Sequence, residues 1–264
     1  MRVLPSPCYV FSDTHLGVAP GEVERSLLVF LRYLEGRAGS IVINGDLFEF
    51  WFEWRSVIPR SSFRVLARLA DLVESRVPVL WVAGNHDCWG GDVLRREVGV
   101  DYHVGPWTGR IAGWNTRIEH GDGLRHVEDR KYRGLRTVLR NPASIWAFRH
   151  LLHPDWGSRL AAGSSHASRT YQPRDGGRGL RDVALGQLAA DPALDLVIFG
   201  HSHVAALERP GTHGVYANAG SWMSKSTYLR IDEQRIALME WTGSAEGEVL
   251  NALDRGSEKA LAKT

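Results

Sequence analysis

The stretch IVINGD, residues 41–46, sets three branched apolar side chains directly before an amide, a glycine and a carboxylate. Three such residues read as a short strand buried on both faces, the kind that parallel sheets use. Residues 47–54, LFEFWFEW, then crowd five aromatic rings beside Asp46. A carboxylate in that company is costly to bury unless a cation, a hydrogen-bond network or water accompanies it. The partner of Asp46 is therefore expected elsewhere in the chain.

The same punctuation recurs along the sequence. Residues 9–11 (YVF) run into SDTH, 79–83 (VLWVA) into GNHD, and 196–199 (LVIF) into GHSH. Amphipathic segments at 23–33 and 61–75 lie between the early strands, so strand and helix alternate as in an α/β protein. In such sheets the carboxyl ends of the strands carry the site. That rule gathers Asp13, His15, Asp46, Asn85, His86, His201 and His203 at one rim. A further strand at 116–119 ends in HGD and adds His120.

The last third reads differently, as short β runs at 215–217, 227–231 and 236–241 closing in antiparallel fashion. Between His120 and Asp195 the pattern is mostly helical: helices at 127–139 and 144–152, a Gly/Ser/Arg-rich stretch at 157–179, then a helix to Ala190. The organisation expected is one domain over 1–242, with 125–192 inserted as a helical lid and 243–264 as a loose tail.

Composition narrows the classes. A chain of 264 residues can bury a full core, and 28 glycines suit many sharp strand-to-helix turns. The net charge of +2 gives no general pull on nucleic acid, and the basic segment carries few interleaved aromatics, so no nucleic-acid partner is expected. Cys8 and Cys88 are the only cysteines, without metal-knuckle spacing, which points to a reducing, cytoplasmic setting. No apolar run reaches the ~18 residues of a membrane span, and residues 9–11 are too short for a cleavable leader. A soluble or peripheral protein is expected.

Carboxylate oxygen, imidazole nitrogen and amide oxygen are ligands for a hard or borderline divalent cation. Seven residues of these types fall at strand ends: Asp13, His15, Asp46, Asn85, His120, His201 and His203. That number suits two ions better than one. If Asp46 bridges them, one ion takes Asp13, His15, Asp46 and His203, and the other takes Asp46, Asn85, His120 and His201. Two such ions share and activate a water for attack on phosphorus. His86, beside Asn85, is expected as the catalytic proton donor or transition-state hydrogen-bond donor, with Asp87 orienting it.

SDTH, NGD, GNHD, EHGD and GHSH, in that order, resemble the motifs of the calcineurin-like metallophosphoesterases over roughly residues 9–241. The resemblance implies two mixed β-sheets packed as a sandwich flanked by helices, and the same allocation of ligands to two ions. The block HGDGLRHVEDRKYRGLRTVLRNP at 120–142, with NGDLFEFWFEW, is similar to the UDP-2,3-diacylglucosamine hydrolases. By that resemblance the chain cleaves the diphosphate of the nucleotide lipid in lipid A synthesis, releasing UMP and 2,3-diacylglucosamine 1-phosphate. Manganese is the implied metal, with iron or zinc as alternatives. Two departures stand out: His86 occupies a position where those hydrolases often carry arginine, and the acidic residue and tyrosine before the lid lie one residue further from HGD.

Asp129, Tyr132, Arg133, Arg136 and Arg140 recur at helical spacing, and residues 125–149 hold seven Arg or Lys against Glu128 and Asp129. A helix face of this kind suits a diphosphate. Asp122, Asp129, Tyr132, Arg136 and Trp51 are accordingly expected to bind substrate, with Phe48 and Trp54 lining a sugar or acyl pocket. The lid arginines also suit an anionic membrane surface, making the enzyme peripheral on its cytoplasmic face. The alternatives are a phosphoesterase for another nucleotide, small diphosphate or phosphoprotein, and a non-catalytic scaffold, which loss of ligands would mark.

Overall fold

The computed structural model of the chain describes residues 2–126, 128–164, 175–211, 213–243 and 245–256, with backbone alone for 160–164. Its strands in chain order are β1 (Val3–Leu4), β2 (Cys8–Phe11), β3 (Ser40–Asn44), β4 (Val79–Val82), β5 (Asp101–His103), β6 (Trp107–Ile111), β7 (Trp114–Ile118), β8 (Leu196–Phe199), β9 (Ala206–Glu208), β10 (Val215–Asn218), β11 (Thr227–Ile231), β12 (Arg235–Glu240) and β13 (Glu248–Asp254). The helices are α1 (Gly21–Leu34), α2 (Phe63–Glu74), α3 (Arg130–Leu139), α4 (Pro142–Leu151), α5 (Pro154–Ser164), α6 (Arg178–Ala190) and α7 (Trp222–Lys225).

Two mixed sheets form a sandwich with helices outside. One sheet has the order β13-β12-β11-β2-β3-β4-β5 and the other β1-β6-β7-β8-β10-β9. Strands β2 to β5 pair in parallel, and β11, β12 and β13 close that sheet in antiparallel fashion.

The period of two along each strand decides which core a side chain joins. Tyr9, Phe11, Ile41, Ile43, Val79 and Trp81 face the outer core with α1 and α2. Cys8, Val10, Val42, Leu80 and Val82 face the other sheet, where they meet Ile118, Leu196 and Ile198. Both faces are covered, which is why these strands are apolar throughout. Each fully buried aliphatic or aromatic side chain contributes about 1.5–3 kcal/mol. Helix α2 supplies its side of the outer core from Val65, Leu66, Leu69 and Leu72, one face of a 3.6-residue period.

Two organisational expectations need correction. The stretch expected as a loose tail from Gly243 contains β13, which pairs with β12 from Glu240/Glu248 to Arg235/Asp254. Being exposed over its first four residues, it lacks the apolar signature of a buried strand. The lid expected over 125–192 is too long at its end. Leu180, Ala184 and Leu188 of α6 pack on Val197, Phe199 and Tyr216, so α6 is an outer layer of the sandwich. The helices standing off the core are α3, α4 and α5. Residues 165–174 of the Gly/Ser/Arg-rich stretch lie outside the described residues.

Candidate metal centre

The strand tips end in sharp turns, and the turns have an unusual backbone. Asp13, His15, Asp46, His201 and His203 all have positive φ, between 49° and 61°. For residues with a Cβ this left-handed conformation costs about 1–3 kcal/mol each and persists where the surroundings over-determine it. The main chain of the first turn is held by the second: the amides of Thr14 and His15 both donate to the Asp46 carbonyl, at 2.9 and 3.0 Å. Glycines make room for the side chains. A Cβ on Gly84 would lie 2.1 Å from Asp46 Oδ1, and one on Gly45 would lie 2.3 Å from His120 Nδ1.

Six of the residues expected as ligands come together at this rim in two groups. In the first, ligand atoms of Asp13, His15 and His203 lie within 4.8 Å of one another; in the second, those of Asp46, His120 and His201 do so. His203 Nε2 is 3.2 Å from Asp13 Oδ1, and His120 Nε2 is 3.1 Å from Asp46 Oδ2. Asn85 belongs to the turn that meets Asp46, since the next amide, that of His86, donates to Asp46 Oδ1 at 3.0 Å. Among the described residues, buried Asn85 Oδ1 has no hydrogen-bond partner, and buried Asp13 Oδ1 and His120 Nε2 have none that is well aligned. Buried polar atoms are ordinarily paired, so lone pairs converging in this way fit divalent cations.

The imidazoles are oriented for this purpose. A carbonyl can only accept, so His120 Nδ1 donates to the Asn44 carbonyl at 2.8 Å and turns Nε2 inward. His15 Nδ1 lies 2.9 Å from Glu49 Oε2, which turns the His15 Nε2 toward His203 Nε2 at 3.3 Å. Oxygen partners on the outer ring nitrogen fix the orientation and basicity of metal-binding histidines. Burial alone would lower the His120 pKa, yet Asp46 and Asp13 hold it well above the usual imidazole range. Burial, with His120 beside it, pushes His201 down to about 4.

Glu49 belongs to the rim by its contacts, and the sequence conceals it among aromatics. A signal is nonetheless present: a carboxylate three residues after Asp46 inside an apolar run must have a partner. It is buried, and besides orienting His15 through its side chain it accepts from His86 Nδ1 through its carbonyl at 2.8 Å. His86 Nε2 consequently faces Asp46, 4.0 Å from Oδ2.

Asp87 does not orient His86, contrary to expectation. Its carboxylate accepts from the amides of Gly84 (2.6 Å) and Leu47 (2.9 Å) and from the Trp81 indole (3.2 Å). It clamps the Gly84 turn to the Asp46 turn from behind. Burial, reinforced by Asp46, pushes its pKa up to about 6.

The residues expected to bind substrate divide. Trp51 is fully buried and stacked on Phe48 at 5.4 Å, so both belong to the core and neither lines a pocket. Asp129 is buried and engaged with Arg125, whose Nη2 donates at 2.6 Å and whose amide donates at 2.9 Å. Asp122 is also buried and is engaged by α3 and its C-cap, accepting from Tyr132 Oη at 2.8 Å and Arg140 Nη2 at 3.2 Å, while Arg136 donates to its carbonyl at 3.0 Å. A pairing of helix arginines with Asp122 leaves less positive charge for a diphosphate than the sequence alone implies. Trp54 joins Phe50, Phe52, Trp89 and Phe148 of α4 in an aromatic cluster beside the site.

A rim of carboxylates, imidazoles and an amide on a two-sheet sandwich defines a class, and sequence comparison agrees with it. The calcineurin-like phosphoesterase family model matches residues 6–205, and the chain belongs to that family. It is a metal-dependent hydrolase. The chain is 33% identical over 254 residues to the UDP-2,3-diacylglucosamine hydrolase of Porphyromonas gingivalis, covering 88% of this chain and 97% of that one. It is 29% identical over 240 residues to the hydrolase of the same name from Stenotrophomonas maltophilia, covering 84% and 93%.

Proposed function

We propose that this protein hydrolyses the diphosphate of UDP-2,3-diacylglucosamine to UMP and 2,3-diacylglucosamine 1-phosphate in lipid A synthesis, using two divalent ions, with manganese preferred to iron or zinc. The supporting observation is the rim of ligand-type side chains in a chain that spans 97% of a relative carrying that hydrolase's name. Asp13, His15, Asp46 and His203 would hold one ion, and Asp46, Asn85, His120 and His201 the other. Bound ions of this kind supply an activated water and neutralise phosphoryl oxygens.

The chain's own residues orient and complete the chemistry. The Glu49 carbonyl accepts from His86 Nδ1 and so turns Nε2 toward the rim. In its imidazolium form His86 would donate from Nε2 to the phosphoryl or leaving oxygen as charge develops there. Phe50, Trp89 and Phe148, half-buried over the buried rings of Phe52 and Trp54, offer an apolar bed for acyl chains. Helices α3 to α5 act as the lid and lie against the cytoplasmic leaflet, bringing the enzyme to its lipid.

His86, at a position where arginine is frequent in these hydrolases, favours one second reading: a phosphoesterase for another nucleotide or a small diphosphate. A substrate screen separates the two. With manganese, UMP release from the nucleotide lipid should exceed hydrolysis of simple phosphate esters. Asp46→Ala should abolish both while circular dichroism stays native. Preference for a simple ester would select the second reading, and a fully active Asp46→Ala protein would remove the metal centre from both.

A further inference from the structure

We infer that α3 is a brace for one of the two ion sites, with Asp122 and Trp89 as its positioning residues. The inference rests on the two-ion reading above.

None of the side chains of α3 is buried, so the helix owes its place to polar contacts at a few points. At one point Tyr132, Arg136 and Arg140 converge on Asp122, through the three hydrogen bonds described above. Asp122 follows His120 by two residues. At the other point the Leu139 carbonyl accepts from the Trp89 indole at 2.9 Å. Trp89 follows Asn85 by four residues. One helix thus joins the loop of His120 to the loop of Asn85. Those two ligands are assigned to the same ion.

The other ion site is held differently. Glu49 orients His15, and the Asp13 carbonyl accepts from Ser221 Oγ at 3.0 Å and from the Met223 amide at 3.3 Å. The GHSH turn is tied back by Asn218 Nδ2, which donates to the Gly200 carbonyl at 2.9 Å. These supports come from the strand-tip loops and α7, not from the lid. Asp87 holds the near side of the Asn85 turn through Gly84, and α3 holds its far side. Loosening α3 therefore removes one support from the loops of Asn85 and His120, while the supports of Asp13, His15 and His203 are untouched.

The full chain is stripped with chelator and titrated with manganese by calorimetry, with no substrate present. Wild type should take up two ions. Asp122→Asn should weaken one of them by about 10- to 100-fold, the loss typical when a partner of a metal ligand is removed. The other ion should keep its affinity. His203→Ala, which removes a ligand of the opposite site, identifies which ion is which. Tyr132→Phe and Trp89→Phe delete one donor each while keeping an aromatic ring, and should cause a smaller loss at the same ion, so the test survives if Asp122→Asn fails to fold. Two ions in wild type with unchanged affinities in these variants, or equal weakening of both ions, overturns the brace alone. Fewer than two ions in wild type overturns the two-ion reading and the brace with it.

Discussion

Glu49 orients two imidazoles from one backbone position, His15 with its carboxylate and His86 with its carbonyl. Its neighbours in sequence show how far residue types alone can be trusted. The ligand types are legible because each is a polar residue ending an apolar strand. Trp51 and Glu49 are not, because a strand-like aromatic run does not tell which of its members turns inward. Cys88 presents the reverse case, a thiol near the rim that looks reactive. Burial, opposed by Arg140, pushes its pKa up to about 12. At pH 8 only about one such thiol in 10⁴ is a thiolate, and the thiolate is the reactive form. Cys8, fully buried, is also pushed up to about 12. Iodoacetamide at pH 8 should therefore leave both unmodified in the folded protein and alkylate both in urea. Mass spectrometry reads the result, and rapid labelling of native Cys88 would contradict it.

At the scale of elements, the turns matter more than the strands they join. Gly84 has an ordinary φ, so its requirement is one of space: a methyl group there would meet Asp46 Oδ1 at 2.1 Å and the Asp46 amide at 2.8 Å. Gly84→Ala should destabilise the protein by about 1–3 kcal/mol, as overpacked sites do, and abolish turnover by displacing Asp46. Gly186, inside α6, is the matched control, since a methyl group added there would meet nothing within 4 Å. Gly186→Ala should stabilise by about 0.5–1 kcal/mol and leave turnover unchanged. Urea denaturation with a parallel rate measurement separates the two outcomes. The buried strands are readable because both faces are apolar. Exposed β13 gives no such pattern, and α6 is easily absorbed into the lid although Leu180, Ala184 and Leu188 carry the four-residue spacing of a packed helix.

For the molecule as a whole, helices α3 to α5 present an uncommon surface. Leu135, Val138, Trp146, Leu151 and Trp156 are each more than half exposed, on three successive helices that also carry arginines. No described helix is long and apolar enough to cross a membrane. Large apolar side chains with basic neighbours suit insertion at a lipid interface, where burying a tryptophan contributes about 1.5–3 kcal/mol or more. Full-length protein should sediment with vesicles containing phosphatidylglycerol at low salt and not with neutral vesicles. Trp146→Ser with Trp156→Ser should weaken that binding about tenfold or more. Equal sedimentation of the double variant would refute a role for these rings.

The left-handed backbone at Asp13, His15, Asp46, His201 and His203 bears on any attempt to make the protein tougher. Glycine adopts that conformation freely, so each of these positions offers a route to a higher melting temperature that discards a side chain proposed to hold metal. A screen for heat tolerance that does not also demand hydrolysis will collect inert chains, and it will collect them at the five places where the enzyme is least replaceable.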